Sequence, residues 1–303
     1  MVQSQMNKLV WLVDTIREAK RITFSELSER WKNNVEMSGG VPLLKRTFHK
    51  WKKAIWDNFK LDIFCEQGGD YCYYISNAED LKNGSMEKWL MNTYSIANSL
   101  EASKALKDRI LLEEVPSGKN YLEAIIKAMK ENRFIHFDYC TYSSKQETSR
   151  YVMPLCVKLF RQRWYLVGRA FPSGCDTIFC LDRMHSFRFS HHIFEYPKDF
   201  SPEDYFHGCF GIINDRNCDI QTVKLKVSAQ QANYLRDLPM HESQKEIERN
   251  DEYSIFTVRV RPTFDFRQEL LWNMDHLEVL EPKWFRDEIK GTVKRILANY
   301  KNK

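Results

Sequence analysis

Residues 163–169 read Arg-Trp-Tyr-Leu-Val-Gly-Arg, and this stretch limits the possible folds more than any other. It is rich in aromatic and branched residues and too short for an independent helix, so it reads as a strand. In an extended chain Arg163, Tyr165 and Val167 point one way while Trp164 and Leu166 point the other. Such a strand needs neighbours, and the sequence supplies them at 134–139, 150–160 and 177–181, with a fifth marked by Phe187 and Phe189. Polar turns separate them at Ser143-Ser144-Lys145, Arg161-Gln162 and Pro172-Ser173-Gly174. A helix over 121–132, with Leu122, Ile125, Ile126 and Met129 on its apolar side, precedes the set. Five short strands after one helix suit a small Sm-like or SH3-like β-barrel.

Within the central strand, Trp164 and Leu166 read as core. Arg163 and Tyr165 give the opposite face a planar fork of donors and a stacking ring, which suit a polar, anionic ligand. The plain alternative is a half-buried strand with a solvated arginine.

The N-terminal third is helical. Leu9, Leu12, Val13 and Ile16 recur at helical spacing over 7–19. Thr23 can cap a second helix over 24–31, with Glu26 closing a capping box. After a polar loop at 33–40, Pro42 fits the first turn of a third helix. That helix carries the apolar stripe Leu44, Phe48, Trp51, Ile55 and Phe59. From 42 to 60 the basic residues Lys45, Arg46, Lys50, Lys52, Lys53 and Lys60 face the single acid Asp57. Strand-like runs at 61–67 and 71–76 follow, joined by Gly68-Gly69-Asp70, a hairpin signal. Three helices and a hairpin form the layout of a winged helix-turn-helix, whose recognition helix enters the major groove of duplex DNA. By role, Arg46, His49 and Lys53 are candidate base or phosphate contacts. Thr47 is a methyl or hydroxyl contact, and Lys50 and Lys52 are phosphate contacts, with Lys45 on the same basic surface. A solvated, lysine-rich helix face is the alternative.

Helical spacing resumes over 85–114 through Trp89, Leu90, Tyr94, Ala97, Leu100, Leu106 and Ile110, which reads as a linker ending at a hinge, Pro116-Ser117-Gly118. Residues 190–220 form a connector. Its His191, His192, His207, Cys209 and Cys218 match no usual zinc spacing. From 222 the order is strand, helix, strand, strand, helix, strand and a last helix over 284–300, consistent with a ferredoxin-like unit.

Trp164-Tyr165-Leu166 lies between Tyr151-Val152-Met153-Pro154-Leu155 and Leu181-Asp182-Arg183-Met184. In order and spacing these three blocks resemble the WYL domain of bacterial transcriptional regulators. Lys45-Arg46-Thr47-Phe48-His49-Lys50 resembles the recognition helix of the DeoR-like winged domains that often precede WYL domains, with Lys50-Trp51 in place of their usual Arg-Asp. The C-terminal unit resembles the WCX extension of the same family. The resemblance implies an α+β, multidomain chain: winged helix-turn-helix (1–80), helical linker (81–118), WYL domain (119–195), connector (196–220) and WCX-like domain (221–303). It also implies sensing of a nucleotide or single-stranded nucleic acid, with Tyr165 and Arg183 matching the motif most directly. Tyr139, Arg161, Arg163 and Arg169 are expected to converge on the same groove, and Asp182 either orients Arg183 or is an ordinary surface acid.

The formal net charge of +5 is too small to demonstrate a nucleic-acid partner by itself. The eight cysteines contain no Cys-x-x-Cys pair and read as packed thiols. No run of signal-peptide or membrane-spanning form is present, which predicts a cytoplasmic protein without a membrane partner. No phosphate-cradling glycine loop, nucleophile elbow or metalloprotease motif occurs. The expected function is therefore binding without catalysis, metal or cofactor: a ligand-responsive regulator of duplex DNA, acting as a homodimer because paired half-sites favour paired winged helices. A constitutive single-strand-binding accessory protein of defence or DNA-damage pathways is the alternative, and a nucleotide-processing enzyme the third reading.

Overall fold

A computed structural model describes residues 5–66, 70–76, 85–102, 109–111, 119–141 and 147–301. The chain divides into two compact units, Met1–Glu113 and Glu114–Lys303. The expected turns at Gly68-Gly69 and Ser143-Ser144-Lys145, Leu106, and the hinge at Pro116-Ser117-Gly118 lie outside the described residues.

The first unit contains α1 (Gln5–Ala19), α2 (Phe24–Asn33), a short α3 (Val35–Ser38), α4 (Lys45–Phe59), strands β1 (Ile63–Cys65) and β2 (Tyr73–Ile75), and α5 (Met86–Ala102). The Thr23 side chain accepts the Glu26 N–H while the Glu26 carboxylate accepts the Thr23 N–H, completing the predicted capping box. Such a cap contributes about 1 kcal/mol. The core forms where the apolar stripes of α1, α2 and α4 meet, on Leu12, Ile16, Leu27, Phe48 and Ile55. Trp31 sits between Trp11 and Trp51, with ring centroids 4.9 Å from each and edge-to-face geometry. β1 and β2 pair antiparallel, Ile63 opposite Ile75. Ile22, between α1 and α2, exchanges backbone hydrogen bonds with Tyr73, so the hairpin is anchored to the helices.

Four details differ from the sequence reading. The loop at 33–40 contains α3, started by the Asn34 side chain accepting from Met37 N–H and ended by Gly39 in the left-handed region. The third long helix starts at Lys45 with Leu44 as its cap residue, so Pro42 lies before it. Leu44 is 64% exposed and outside the core, where Leu43 takes its place. The segment read as a linker begins as part of this unit: Met91 on α5 is buried in the same core. The Ser95 hydroxyl donates to Asp14 at 2.7 Å and the Asn98 amide to the Asn7 carbonyl at 3.0 Å. Burial raises the Asp14 carboxyl above its usual range despite that hydrogen bond.

The second unit opens with α6 (Lys119–Lys130) and β3 (Arg133–Cys140), β4 (Glu147–Phe160), β5 (Arg163–Phe171), β6 (Cys175–Cys180) and β7 (Met184–Ile193), with one 3-10 turn, Leu181–Arg183, before β7. The strands form one antiparallel sheet in the order β6-β5-β4-β3-β7. Ile125 and Ala128 of α6 close one side over Ile135, Phe137, Val152, Leu166 and Phe179. Trp164 packs against this core beside Leu166, as alternation requires. Gly168 permits the close approach of β4: a Cβ there would stand 2.2 Å from Val152 Cγ1.

A short helix, α7 (Pro202–Tyr205), lies in the connector. Then follow β8 (Gln221–Ser228), α8 (Ala229–Asp237), β9 (Lys245–Arg249), β10 (Tyr253–Val260), α9 (Phe264–Trp272), β11 (Leu277–Glu281) and α10 (Lys283–Lys301). Their sheet order is β11-β8-β10-β9, antiparallel throughout. Its core is Val223, Leu225, Val258, Phe266 and Phe285. Among the described residues no helix is long and apolar enough to cross a membrane.

Candidate functional site

On α4 the apolar stripe Phe48, Trp51, Ile55 and Phe59 is buried, which turns the remaining faces outward. Lys45, Arg46, His49, Lys50 and Lys53 are exposed, and Thr47 and Lys52 are half-buried at the edges. Arg46, His49, Lys50 and Lys53 are spaced to share one face. The first turn has no acidic residue and no side-chain cap. Lys45 and Arg46 thus stand at the positive end of the helix, where acids would be the stabilising choice.

In the second unit, a cavity of about 420 Å³ opens beside β5 and β6. Three residues singled out from sequence line it together: Tyr139, Tyr165 and Arg183. The Arg183 guanidinium lies 4.8 Å from the Tyr139 ring centroid and donates to the Cys140 carbonyl at 3.0 and 2.5 Å. Tyr139 is otherwise core, its hydroxyl accepting the Cys180 N–H at 3.1 Å. Burial pushes the Tyr165 hydroxyl up to about 12, and the neighbouring Cys180 thiol up to about 11. Both are therefore neutral donors at neutral pH.

The other predicted arginines are placed differently. Arg163 gives two hydrogen bonds to Asp182, at 2.9 and 2.6 Å, so Asp182 orients Arg163 rather than Arg183. Arg169 pairs with Asp176 at 2.7 Å, and the hydrogen bonds to Asp176 raise its pKa further. Arg161, in the β4–β5 turn, pairs with Glu269 on α9. None of these three lines the cavity. The face of β5 read as open is also partly covered, because Val167 is buried under Phe200 and Tyr205 of the connector.

The connector supplies the cavity wall that sequence reasoning missed: Tyr205 and Ile212-Ile213-Asn214. The wall is held from both sides. The Asp265 carboxylate, buried at the start of α9, accepts the N–H groups of Ile212 and Ile213 at 3.0 and 3.2 Å. It also accepts from the Thr263 hydroxyl and the Phe266 N–H. From β4, the Lys158 amine donates to the Gly211 carbonyl at 2.7 Å and sits 3.9 Å from the Phe206 ring centroid. Burial lowers the Lys158 pKa, and Cys209 and Asp265 partly offset this. Gly211 fits because it lacks a side chain: a Cβ would stand 2.5 Å from Asp265 Oδ2 and 2.7 Å from Phe160 Cζ. No local motif announces this wall. Asp176 was more accessible to inference, since the turn at 172–174 sets it opposite Arg169 across the hairpin.

Family models match two regions: the WYL domain over 120–189 and the WCX domain over 219–297. The chain carries a WYL domain and a WCX domain. The WYL match takes in all six residues predicted to bind the effector, and the WCX match contains Asp265 and Glu269. No curated protein matches the chain. Among solved structures it is similar to proteasome accessory factor B/C (PafBC) of Arthrobacter aurescens, with 19% identity and a TM-score of 0.37 over 95% of this chain and 46% of that one. A CRISPR Cas-related protein matches with 12% identity and a TM-score of 0.38, over 99% of this chain and 87% of the other. The chain thus spans about half the length of PafBC.

Proposed function

We propose that this WYL–WCX protein is a DNA-binding transcriptional regulator whose WYL domain senses a nucleotide or a short single-stranded nucleic acid. The first unit then acts as a winged helix-turn-helix, with α4 in the major groove and the β1–β2 hairpin on the backbone. The WYL sheet serves as an Sm-like barrel and the WCX domain as a ferredoxin-like support. The observation that carries this reading is α4: its exposed face bears Lys45, Arg46, His49, Lys50 and Lys53, with no acid in its first turn. An effector acts by preferring one placement of the two winged domains of a homodimer, since occupancy without preference shifts nothing.

The cavity favours the sensor over a constitutive strand-binding protein. Its rings, Tyr139, Tyr165 and Tyr205, and its cation Arg183 suit one base and one phosphate. Arg161, Arg163 and Arg169 are each paired with a carboxylate, which leaves little uncompensated charge for a long polyanion. No bond-breaking step is assigned to these residues.

The test is fluorescence anisotropy of the full chain on its own upstream DNA at two salt concentrations, with and without mononucleotides and short oligonucleotides. Specific duplex binding that moves with an effector is expected. Arg46→Ala with Lys50→Ala should abolish it, and each lost phosphate contact should flatten the salt slope by about one. Duplex binding that survives the double substitution would remove α4 from the interface. Strand binding that responds to Tyr165→Ala while duplex affinity ignores the strand would favour the accessory-protein reading.

A further inference from the structure

A second cavity, of about 550 Å³, lies on the face of the WYL sheet opposite its core. Ile135, Phe137 and Tyr139 point inward, so His136 points outward. Register puts Tyr151 of β4 and Arg188 of β7 directly beside it, making one row across three strands. The His136 and Tyr151 rings stack with centroids 4.4 Å apart, and Phe134 stacks on Tyr151 at 4.8 Å. The end of β7 brings His191 and His192 to the same cavity. His192 Nδ1 and the Tyr151 hydroxyl are 3.1 Å apart, which fixes both rings.

The charge pattern differs from that of the first cavity. No acidic residue lines this one. Arg188 is exposed, and among the described residues no carboxylate pairs with it. An unpaired guanidinium and imidazole N–H donors beside a column of rings match a ligand that joins a phosphate to a flat heterocycle. A volume of about 550 Å³ lies within the range of small-molecule sites, about 300 to 1,000 Å³. We propose that the outer face of β3, β4 and β7 is a second ligand site, for a nucleoside phosphate that is either free or part of a single strand. Arg188 and His191 hold the phosphate, and the His136–Tyr151 pair presents the stacking surface.

The site stands apart from the regulator reading, and the experiment keeps the two separable. The full chain, labelled at its histidines, is followed by NMR during titration with AMP, with inorganic phosphate and with hexathymidylate. Single His→Gln substitutions assign the signals. Saturable shifts at His136, His191 and His192 with AMP or hexathymidylate are expected, while His207, His241 and His276 stay still and phosphate alone binds more weakly. Arg188→Ala should weaken binding by about tenfold or more, the loss for one charge-assisted hydrogen bond. The unmoved signals of the three remote histidines show that this variant is folded. Tyr165→Ala should leave the shifts intact. The ligand that saturates at the lower concentration tells a free nucleotide from a strand. Non-saturating drift of every histidine, equal affinity for phosphate alone, or loss of the shifts in Tyr165→Ala would each overturn the proposal.

Discussion

Replacing Asp265 by Ala should loosen the wall of the WYL cavity from within the WCX domain. The carboxylate is 6% exposed and accepts from two donors in its own domain and two in the connector. Hydrogen bonds to an ionised acceptor contribute about 1.5 to 3 kcal/mol each. The two to Ile212 and Ile213 are part-buried, and water recovers some of their loss, which brings the expected cost to about 3 kcal/mol. Lys158 adds to it. Asp265 helps keep that buried amine charged, so its removal lowers the Lys158 pKa further and makes the Gly211 contact costlier to hold. Hydrogen exchange over residues 206–216 is the assay. At about 1.4 kcal/mol per factor of ten, the Ile212 and Ile213 amides should exchange about 100-fold faster or more. Asp265→Asn should behave similarly, because its amide NH₂ cannot accept from those N–H groups while its oxygen still serves Thr263. Lys158→Met combined with Asp265→Ala should cost less than the sum of the two alone, since both hold adjacent residues of one segment, Gly211 and Ile212-Ile213. Wild-type exchange at Ile212 and Ile213 in Asp265→Ala would refute the view that the WCX domain holds this wall.

Gly168→Ala should destabilise the second unit by about 1 to 3 kcal/mol, read as a lower denaturant midpoint, because the added methyl meets the stiff Val152 side chain and the Met153 carbonyl. Glu246 is held down to about 2 by two hydrogen bonds from Arg236. A depressed carboxyl stabilises the folded state fully above its unfolded pKa near 4.5 and loses that contribution as pH falls to about 2. Glu246→Gln should therefore lower the unfolding midpoint at pH 7, with the difference from wild type gone near pH 2. Cys175 is exposed, whereas Cys156 and Cys180 are buried with thiols pushed up to about 11. An aromatic disulfide reagent should react fastest at Cys175, and Cys175→Ser should remove that phase from the absorbance trace.

Much of the fold was legible because period and punctuation agreed. Thr23 and Glu26 specified the start of α2, and the alternation at 163–169 put Leu166 inside and Tyr165 at a cavity edge. Local signals erred where tertiary contacts chose between equal options. Leu43 and Leu44 are the same residue type at adjacent positions, and only docking decides which is buried: the Leu43 backbone is tied to Ser28 by hydrogen bonds in both directions. Pro42 carried a helix-start signal, but it lies in that docked approach rather than in the first turn.

The cavity was half legible for a related reason. A residue type announces what a side chain can do, not which partner takes it. Arg163, Arg169 and Arg161 were all read as ligand donors, yet each meets a carboxylate, two of them from neighbouring strands or turns and one from the WCX domain. Hairpin register would have paired Arg169 with Asp176 from sequence alone. Arg161 with Glu269, and Asp265 with the Ile212–Ile213 amides, span 108 and 53 or 52 residues and carry no short-range signal. These long links join the WCX domain to the WYL sheet and its cavity wall. The WCX domain therefore has a physical route to the cavity: any change that shifts α9 moves Asp265, and with it the wall facing Tyr165 and Arg183.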